Sequence, residues 1–161
     1  MTSAILFLAL AMSFVFVPRA PASDHKLAAE EFIRGLYGCK PEVVDKLAAD
    51  KIRVSYPIFE TLFKKAVLSG KTEVTNFGKR FCSVWKDQEL KIDEVIEEGN
   101  QVVFVWSFKA ESVGNVPGAP EKGTVRAWGG ISLFRFDDHG KITLELGEES
   151  EPGPMGRLRG K

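Results

Sequence analysis

Few side chains in this sequence can take part in acid–base or nucleophilic chemistry. Among 161 residues there are two histidines, two cysteines and two tyrosines. Tyr56 stands directly before Pro57. Its phenol can donate a hydrogen bond or act as a general acid, but with an ordinary pKa of about 10 it is a poor base at neutral pH. The plainer reading is a tyrosine at an interface with its hydroxyl in water. Arg126 shares an alternation face with Trp128 and Ser132. It can bind a carboxylate or an enolate, or simply be paired at a rim. Ser132 shares a face with Phe134 and Phe136, alternating with Ile131, Leu133 and Arg135, and is the one polar group of that set. No histidine falls near it on the predicted layout, so it lacks the base a serine nucleophile needs. His25 precedes the first predicted helix and His139 lies in a turn, and both are expected in solvent. Glu145, Gly147 and Glu149 alternate against Ile142, Leu144 and Leu146, and the two acids are expected on a solvated face.

Cys39 ends the first predicted helix and Cys82 lies within a later one. Two cysteines allow one bridge, but bonding needs Cα atoms within about 7 Å, which spacing alone does not show. Two separate, partly buried thiols are the expected arrangement. There is no CxxC and no metal-type spacing, and no metal or cofactor is expected.

Lys+Arg and Asp+Glu balance at 22 each. No net field therefore draws the chain to nucleic acid or anionic lipid. A nucleic-acid binder would carry a basic stripe, whereas the basic cluster here is only Arg157, Arg159 and Lys161. Hydrophobic residues at 44% and charged residues at 27% suit one globular domain. The first residues differ from the rest. Ala4 to Val17 is an uncharged apolar run, followed by Pro18, Arg19 and the small-residue pattern Ala20-Pro21-Ala22. It is shorter than the about 20 residues a membrane span needs. It fits a secretory signal, residues 1–22, cleaved after Ala22, although no cation precedes the run. An uncleaved anchor and an organelle address are the alternatives. The mature chain is then expected in a secreted or other non-cytosolic compartment, without a stable membrane span.

The elements that must position these groups follow from periodicity. Lys26 to Gly38 reads as a helix with Leu27, Phe32, Ile33, Leu36 and Tyr37 on one stripe. Pro41 opens a second helix through Ala49. Lys51 to Ile58 alternates as a strand that Pro57 ends. Phe59 to Leu68 reads equally as a short helix or a lid-like loop. Thr72 to Lys86 is a third helix, with Val74, Phe77, Phe81, Val84 and Trp85 at helical spacing. Strands then follow at 89–97, 101–112, 124–136 and 141–149, with turns at Gly99 and Gly140. Helices followed by consecutive antiparallel strands argue an α+β fold. Strands at 101–112 and 124–136 exceed the usual five or six residues, as strands curling around a cavity do.

Four motifs carry a resemblance. They are AAEEFIRGLYGCKPEVVDKLAAD, the strand end RVSYP, SGKTEVTNFGKRF, and the closing hairpin FRFDDHGKI. In this order and spacing, over about residues 25–152, they resemble the nuclear transport factor 2-like superfamily, in its SnoaL-like and ketosteroid-isomerase-like branch. The resemblance implies a cone-shaped barrel, a strongly bent antiparallel sheet covered by three N-terminal helices. That domain would span residues 23–152, with 153–161 a flexible tail. It also implies a homodimer through the outer sheet face, where Val103, Val105 and Ser107 would lie.

Fold does not fix function in this superfamily. Matching to the ketosteroid isomerases puts Phe32 where they carry an oxyanion-hole tyrosine, Tyr56 where they carry the base, and Ser132 where they carry a protonated acid. Matching to the epoxide-hydrolase branch puts Trp106, Phe108 and Gly147 at its three charged positions. Neither chemistry is expected. The SnoaL-type cyclases use a late-strand acid, for which only Glu145, Glu148 and Glu149 are near. What remains is an aromatic-lined pocket of Phe32, Trp85, Phe104, Trp106, Phe108, Trp128, Ser132 and Phe134 for a small hydrophobic ligand. The competing expectation is that these rings simply fill the barrel. The alternative function is a SnoaL-like enzyme, a cyclase, isomerase or dehydratase, with Tyr56 and Arg126 as its catalytic pair.

Overall fold

A computed structural model describes residues 24–114 and 119–150 of the chain. The expected signal at 1–22 and tail at 153–161 lie outside these residues. Helix α1 (Asp24–Tyr37) starts with Asp24 at the positive end of its dipole and carries Arg34 in its last turn. Its stripe of Ala29, Phe32, Ile33, Leu36 and Tyr37 is buried. Helix α2 (Val43–Leu47) is short and runs straight into strand β1 (Ala48–Ser55). Pro57 ends β1 and caps helix α3 (Ile58–Phe63), since its fixed φ suits a helix start. The segment readable as helix or loop is therefore helical, and the described chain has four helices, not three. Strand β2 (Leu68–Ser69) leads to helix α4 (Lys71–Val84), and strands β3 (Trp85–Glu98), β4 (Gln101–Ser112), β5 (Val125–Phe136) and β6 (Ile142–Ser150) follow.

The six strands form one sheet in the order β2-β1-β6-β5-β4-β3. Neighbours are antiparallel except β1 and β6, which run parallel, with Arg53 opposite Leu144 and Val54 opposite Glu145. The expected α+β cone is present, but its sheet is mixed and does not close on itself. The reason for the parallel pair is connectivity: β1 enters from the helical half and completes the sheet beside the last strand. The inner face carries Phe104, Trp106, Phe108, Phe134 and Phe136, and the helices bring Phe32, Ile33, Tyr37, Phe59 and Phe77 against it. Removing each of the fully dry phenylalanines from water stabilises the fold by roughly 2–3 kcal/mol. Strand β3 is an edge and is dotted with charge: Lys86, Asp87, Glu89, Lys91, Asp93, Glu94, Glu97 and Glu98. Such an edge resists pairing with another strand.

Two expectations are corrected. Cys39 and Cys82 are joined in a disulfide, with Cα atoms 5.6 Å apart. Cys39 lies two residues past the end of α1 and takes a left-handed φ of 64°, and its bond staples that end of the helix to α4. Glu145 is not on a solvated face but is fully buried. A register shift near Phe136 lets both Ile142 and Glu145 point inward, and Leu146 is left exposed on the outer side.

Candidate functional site

The polar heart of the molecule is a chain of hydrogen bonds inside the cone. Trp106 on β4 donates from Nε1 to Ser132 Oγ at 2.9 Å. Ser132 on β5 and the Tyr56 hydroxyl lie 2.8 Å apart. Tyr56, one residue past β1, donates to Glu145 Oε1 on β6 at 2.5 Å. With the Tyr56 proton given to Glu145, Ser132 donates to Tyr56, and each hydroxyl gives one proton and accepts one. The relay therefore runs Trp106 to Ser132 to Tyr56 to Glu145.

Two glycines make room for these rings. A Cβ on Gly147 would stand 1.8 Å from Cε1 of Tyr56, and one on Gly130 would stand 2.5 Å from Cζ2 of Trp106. Tyr56 thus lies flat against the backbone of β6, which is how its hydroxyl reaches the neighbouring Glu145 from the same side.

Among the described residues two buried oxygens lack a hydrogen-bond partner of good geometry, Glu145 Oε2 and the Tyr37 hydroxyl, the latter making at most a weak contact with Tyr56. Tyr37 projects from α1 with its hydroxyl close to Tyr56 and within electrostatic reach of Glu145. Burial pushes Glu145 up to about 7; the Tyr56 hydrogen bond opposes this and nearby Glu149 adds to it. Burial, followed by the Glu145 charge, holds both tyrosines well above the ordinary phenol range. At neutral pH the site is one carboxyl poised between its two states, and two neutral phenols. Among the described residues no three histidine, cysteine, aspartate or glutamate side chains gather as a metal set.

The structure brings Tyr56, Trp106 and Ser132 together. Phe32, Phe104 and Phe134 pack behind them, with Phe104 and Phe134 centroids 5.5 Å apart. Phe108, Trp128 and Trp85 form a second cluster, with centroids 4.6 Å apart for Phe108–Trp128 and 5.3 Å for Trp85–Trp128. Between the clusters is an apolar crevice lined by Ile33, Tyr37, Leu90, Trp106, Phe108 and Trp128, without room for a water molecule. Arg126 is not brought to Tyr56. It is exposed near the start of β5, opposite Ala110. That is six positions from Ser132, or about 20 Å of strand.

Tyr37 and Glu145 are the two site residues the sequence reading did not select. Tyr37 was legible as part of the buried stripe of α1, but not as a polar group without a partner. Glu145 was legible only as a member of the correct alternation set.

The family profile of the SnoaL-like domain matches residues 29–145. The chain belongs to the SnoaL-like family. Comparison with curated proteins gives no match. Among solved structures, this SnoaL-like domain is similar to a putative polyketide cyclase from Acidithiobacillus ferrooxidans, with 22% identity, a TM-score of 0.70, and coverage of 88% of this chain and 98% of that one. It is similar to TsrD from Streptomyces laurentii, at 23% identity and a TM-score of 0.64, covering 83% and 91% of the two chains. It also resembles an epoxide hydrolase of M. tuberculosis, at 17% identity and a TM-score of 0.59, covering 78% and 82%. At these identities the likeness establishes the fold, the nuclear transport factor 2-like cone.

Proposed function

We propose that this SnoaL-like domain binds a small, largely hydrophobic molecule in its aromatic interior and meets one polar group of that molecule with Glu145 and Tyr37. The observation that carries this reading is Glu145 Oε2, buried without a hydrogen-bond partner, with the buried Tyr37 hydroxyl within electrostatic reach of the same carboxyl. Leaving such a group dry and unpaired costs about 1–3 kcal/mol. A ligand hydroxyl would satisfy both, accepting from Tyr37 and donating to Glu145 Oε2, whereas a ligand carbonyl would accept from Tyr37 alone. Phe32, Phe104, Phe134, Trp106, Phe108, Trp128 and Trp85 would supply the apolar walls, parting to admit it. Ketosteroid-isomerase-type catalysis is no part of the reading, because Phe32, Tyr56 and Ser132 hold its three positions.

The acid–base state of Glu145 favours a second reading, a SnoaL-like enzyme. A carboxyl titrating at about 7 suits proton transfer at neutral pH. Oε2 would take a proton from carbon next to a carbonyl, Tyr37 would donate to the oxygen that becomes anionic, and the proton would return at another atom. Glu145 then replaces Arg126 as the partner of Tyr56.

Export of the mature chain is part of the proposal. It is supported by the disulfide, which persists in oxidising compartments.

The test is native mass spectrometry of the purified mature chain, with extraction of copurifying small molecules. The expected result is a bound, uncharged organic molecule whose affinity drops about tenfold in both Tyr37→Phe and Glu145→Gln, one hydrogen bond each. Binding that neither substitution weakens would sink the reading. Turnover of that molecule, lost in Glu145→Gln, would select the enzyme. Retention of the tagged full-length chain in the cytosol of its host would overturn export.

A further inference from the structure

Cleavage after Ala22 makes Ser23 the first residue of the mature chain, so His25 becomes its third. A free amine followed by histidine in third place has a specific coordination chemistry. The amine nitrogen, the main-chain nitrogens of the second and third residues, and Nδ1 of the imidazole are spaced to close two five-membered chelate rings and one six-membered ring around a single cation. Four nitrogens in one plane suit a divalent metal that takes square-planar geometry, copper(II) or nickel(II). Zinc takes a tetrahedron and calcium takes oxygen, so neither matches this set. Only one of the four ligands is a side chain, in keeping with the lack of a metal-type cluster of side chains among the described residues.

Ser23 itself lies outside the described residues, but Asp24 and His25 are described and suit the role. Helix α1 begins at Asp24, and the N–H groups of a first helical turn have no intrahelical acceptor. The main-chain nitrogens of Asp24 and His25 are therefore ones the helix does not use. His25 Nδ1 is buried without a hydrogen-bond partner. Nδ1 is the ring nitrogen nearest the backbone, and side chains on a helix lean toward its N-terminus. That lean carries Nδ1 toward the chain end that supplies the amine. The imidazole stacks on Phe136, with centroids 4.4 Å apart and planes 19° apart. A stacked ring is held by its faces, whereas a metal binds in the ring plane. The contact with Phe136 thus orients the ligand without competing for it. Wrapping the Asp24 and His25 nitrogens around a cation rearranges only the first turn, ahead of the buried stripe that begins at Ala29.

We propose that the mature N-terminus, Ser23-Asp24-His25, binds one copper(II) or nickel(II) ion through the Ser23 amine, the Asp24 and His25 main-chain nitrogens and His25 Nδ1. The proposal rests on the reading of export with cleavage after Ala22, and not on the reading of the interior. On binding, the Ser23 ammonium gives up one proton and the two amides one each. All three pass to solvent, and the metal keeps its oxidation state. The two anionic amide nitrogens balance the charge of the divalent ion. No residue of the Trp106–Ser132–Tyr56–Glu145 relay takes part.

The test titrates copper(II) chloride, with glycine as competitor, into the disulfide-intact chain beginning at Ser23 and follows the visible absorption of the metal. The expected result is one equivalent bound per chain, with the violet band of a planar four-nitrogen copper(II) centre. His25→Ala removes a ligand and its six-membered ring and is expected to weaken binding at least about 100-fold. A second chain begins at Ala20. It keeps every residue of the folded domain, moves His25 to sixth place, and puts Pro21, which has no N–H to lose, beside the new amine. It is expected to bind at least about 100-fold more weakly, a loss that a merely structural role for His25 would not produce. Equal uptake by the Ala20 and Ser23 chains overturns the site, and so does failure of the Ser23 chain to compete with glycine. N-terminal sequencing of the chain from its host separates the two readings. A first residue other than Ser23 overturns both cleavage after Ala22 and the site in the native protein. Ser23 found first, with no copper taken up, leaves cleavage standing and overturns the site alone.

Discussion

The Tyr56 hydroxyl donates to Glu145 Oε1 at 2.5 Å while Glu145 Oε2, equally buried, has no partner. The two residues are 89 positions apart and join the first long strand of the sheet to the last. The carboxyl is therefore half satisfied, dry, and pushed up to about 7 from an ordinary 4.5.

A pH dependence follows from that shift. As pH rises, the unfolded chain gives up this proton near 4.5 and the folded chain only near 7. The contribution of Glu145 to stability is therefore full below about pH 4.5, falls through the interval up to about 7, and stays reduced above it. The loss is on the order of 3 kcal/mol. Glu145→Gln is expected to flatten this slope. Urea unfolding across the interval checks it, and equal slopes for wild type and variant would show that the carboxyl is not dry.

The two inner tyrosines are expected to respond oppositely to loss of their hydroxyls. Tyr56→Phe strips a donor from Glu145 and a partner from Ser132, at a cost of about 1–3 kcal/mol. Tyr37→Phe removes a buried hydroxyl held at most by a weak contact with Tyr56 and is expected to be neutral or to stabilise by up to about 1 kcal/mol. Denaturant midpoints of the two ligand-free variants decide the matter. Similar losses in both would mean that Tyr37 is bonded.

Gly147→Ala forces a methyl to within 1.8 Å of the Tyr56 ring. Neither the backbone of β6 nor a ring locked by two hydrogen bonds can give way cheaply. The expected destabilisation is about 2–3 kcal/mol, the upper range for overpacking. Calorimetry measures it, and a variant that melts with the wild type would show that Tyr56 has another rotamer available.

Reduction of Cys39–Cys82 opens a loop with a sequence separation of 43 residues. The expected loss is about 2–4 kcal/mol. Thermal unfolding with and without reductant reads the effect directly. An unchanged midpoint, with both thiols shown free by alkylation, would mean that the staple holds nothing the packing does not.

The outer sheet face carries Ile131 and Leu146, 50% and 42% exposed, with Val103, Val105, Leu133 and Leu144 half-buried around them. We propose a homodimer through this face. Ile131→Glu combined with Leu146→Lys is expected to give a folded monomer by sedimentation velocity, since both side chains point to solvent in the isolated chain. A wild type that sediments as a monomer at high concentration would dismiss the dimer.

Much of the fold was legible because it rests on local pattern. The alternation of Val102, Phe104, Trp106, Phe108 and Ala110 located β4 to the residue, and glycines at 99 and 140, with φ of 58° and 71°, marked the β3–β4 and β5–β6 turns. The parallel β1–β6 pair was not legible, because nothing in either strand encodes the direction of a distant neighbour. Glu145 was misread for a related reason. Leu144 and Leu146 look like a core face, but they belong to the outer side, and a register shift rather than composition decides which face is inside. The disulfide depended on a distance between two helix ends, which only the packed structure supplies.

The parallel pairing of β1 with β6 also sets the order of events as the chain folds. Tyr56 and Val54 wait for Glu145 and its strand, which are made last. Contacts of such long sequence separation are slow to form. A chain emerging from the ribosome would hold its helices and first strand without the partner that buries them. Its sheet would stay incomplete until β6 is made.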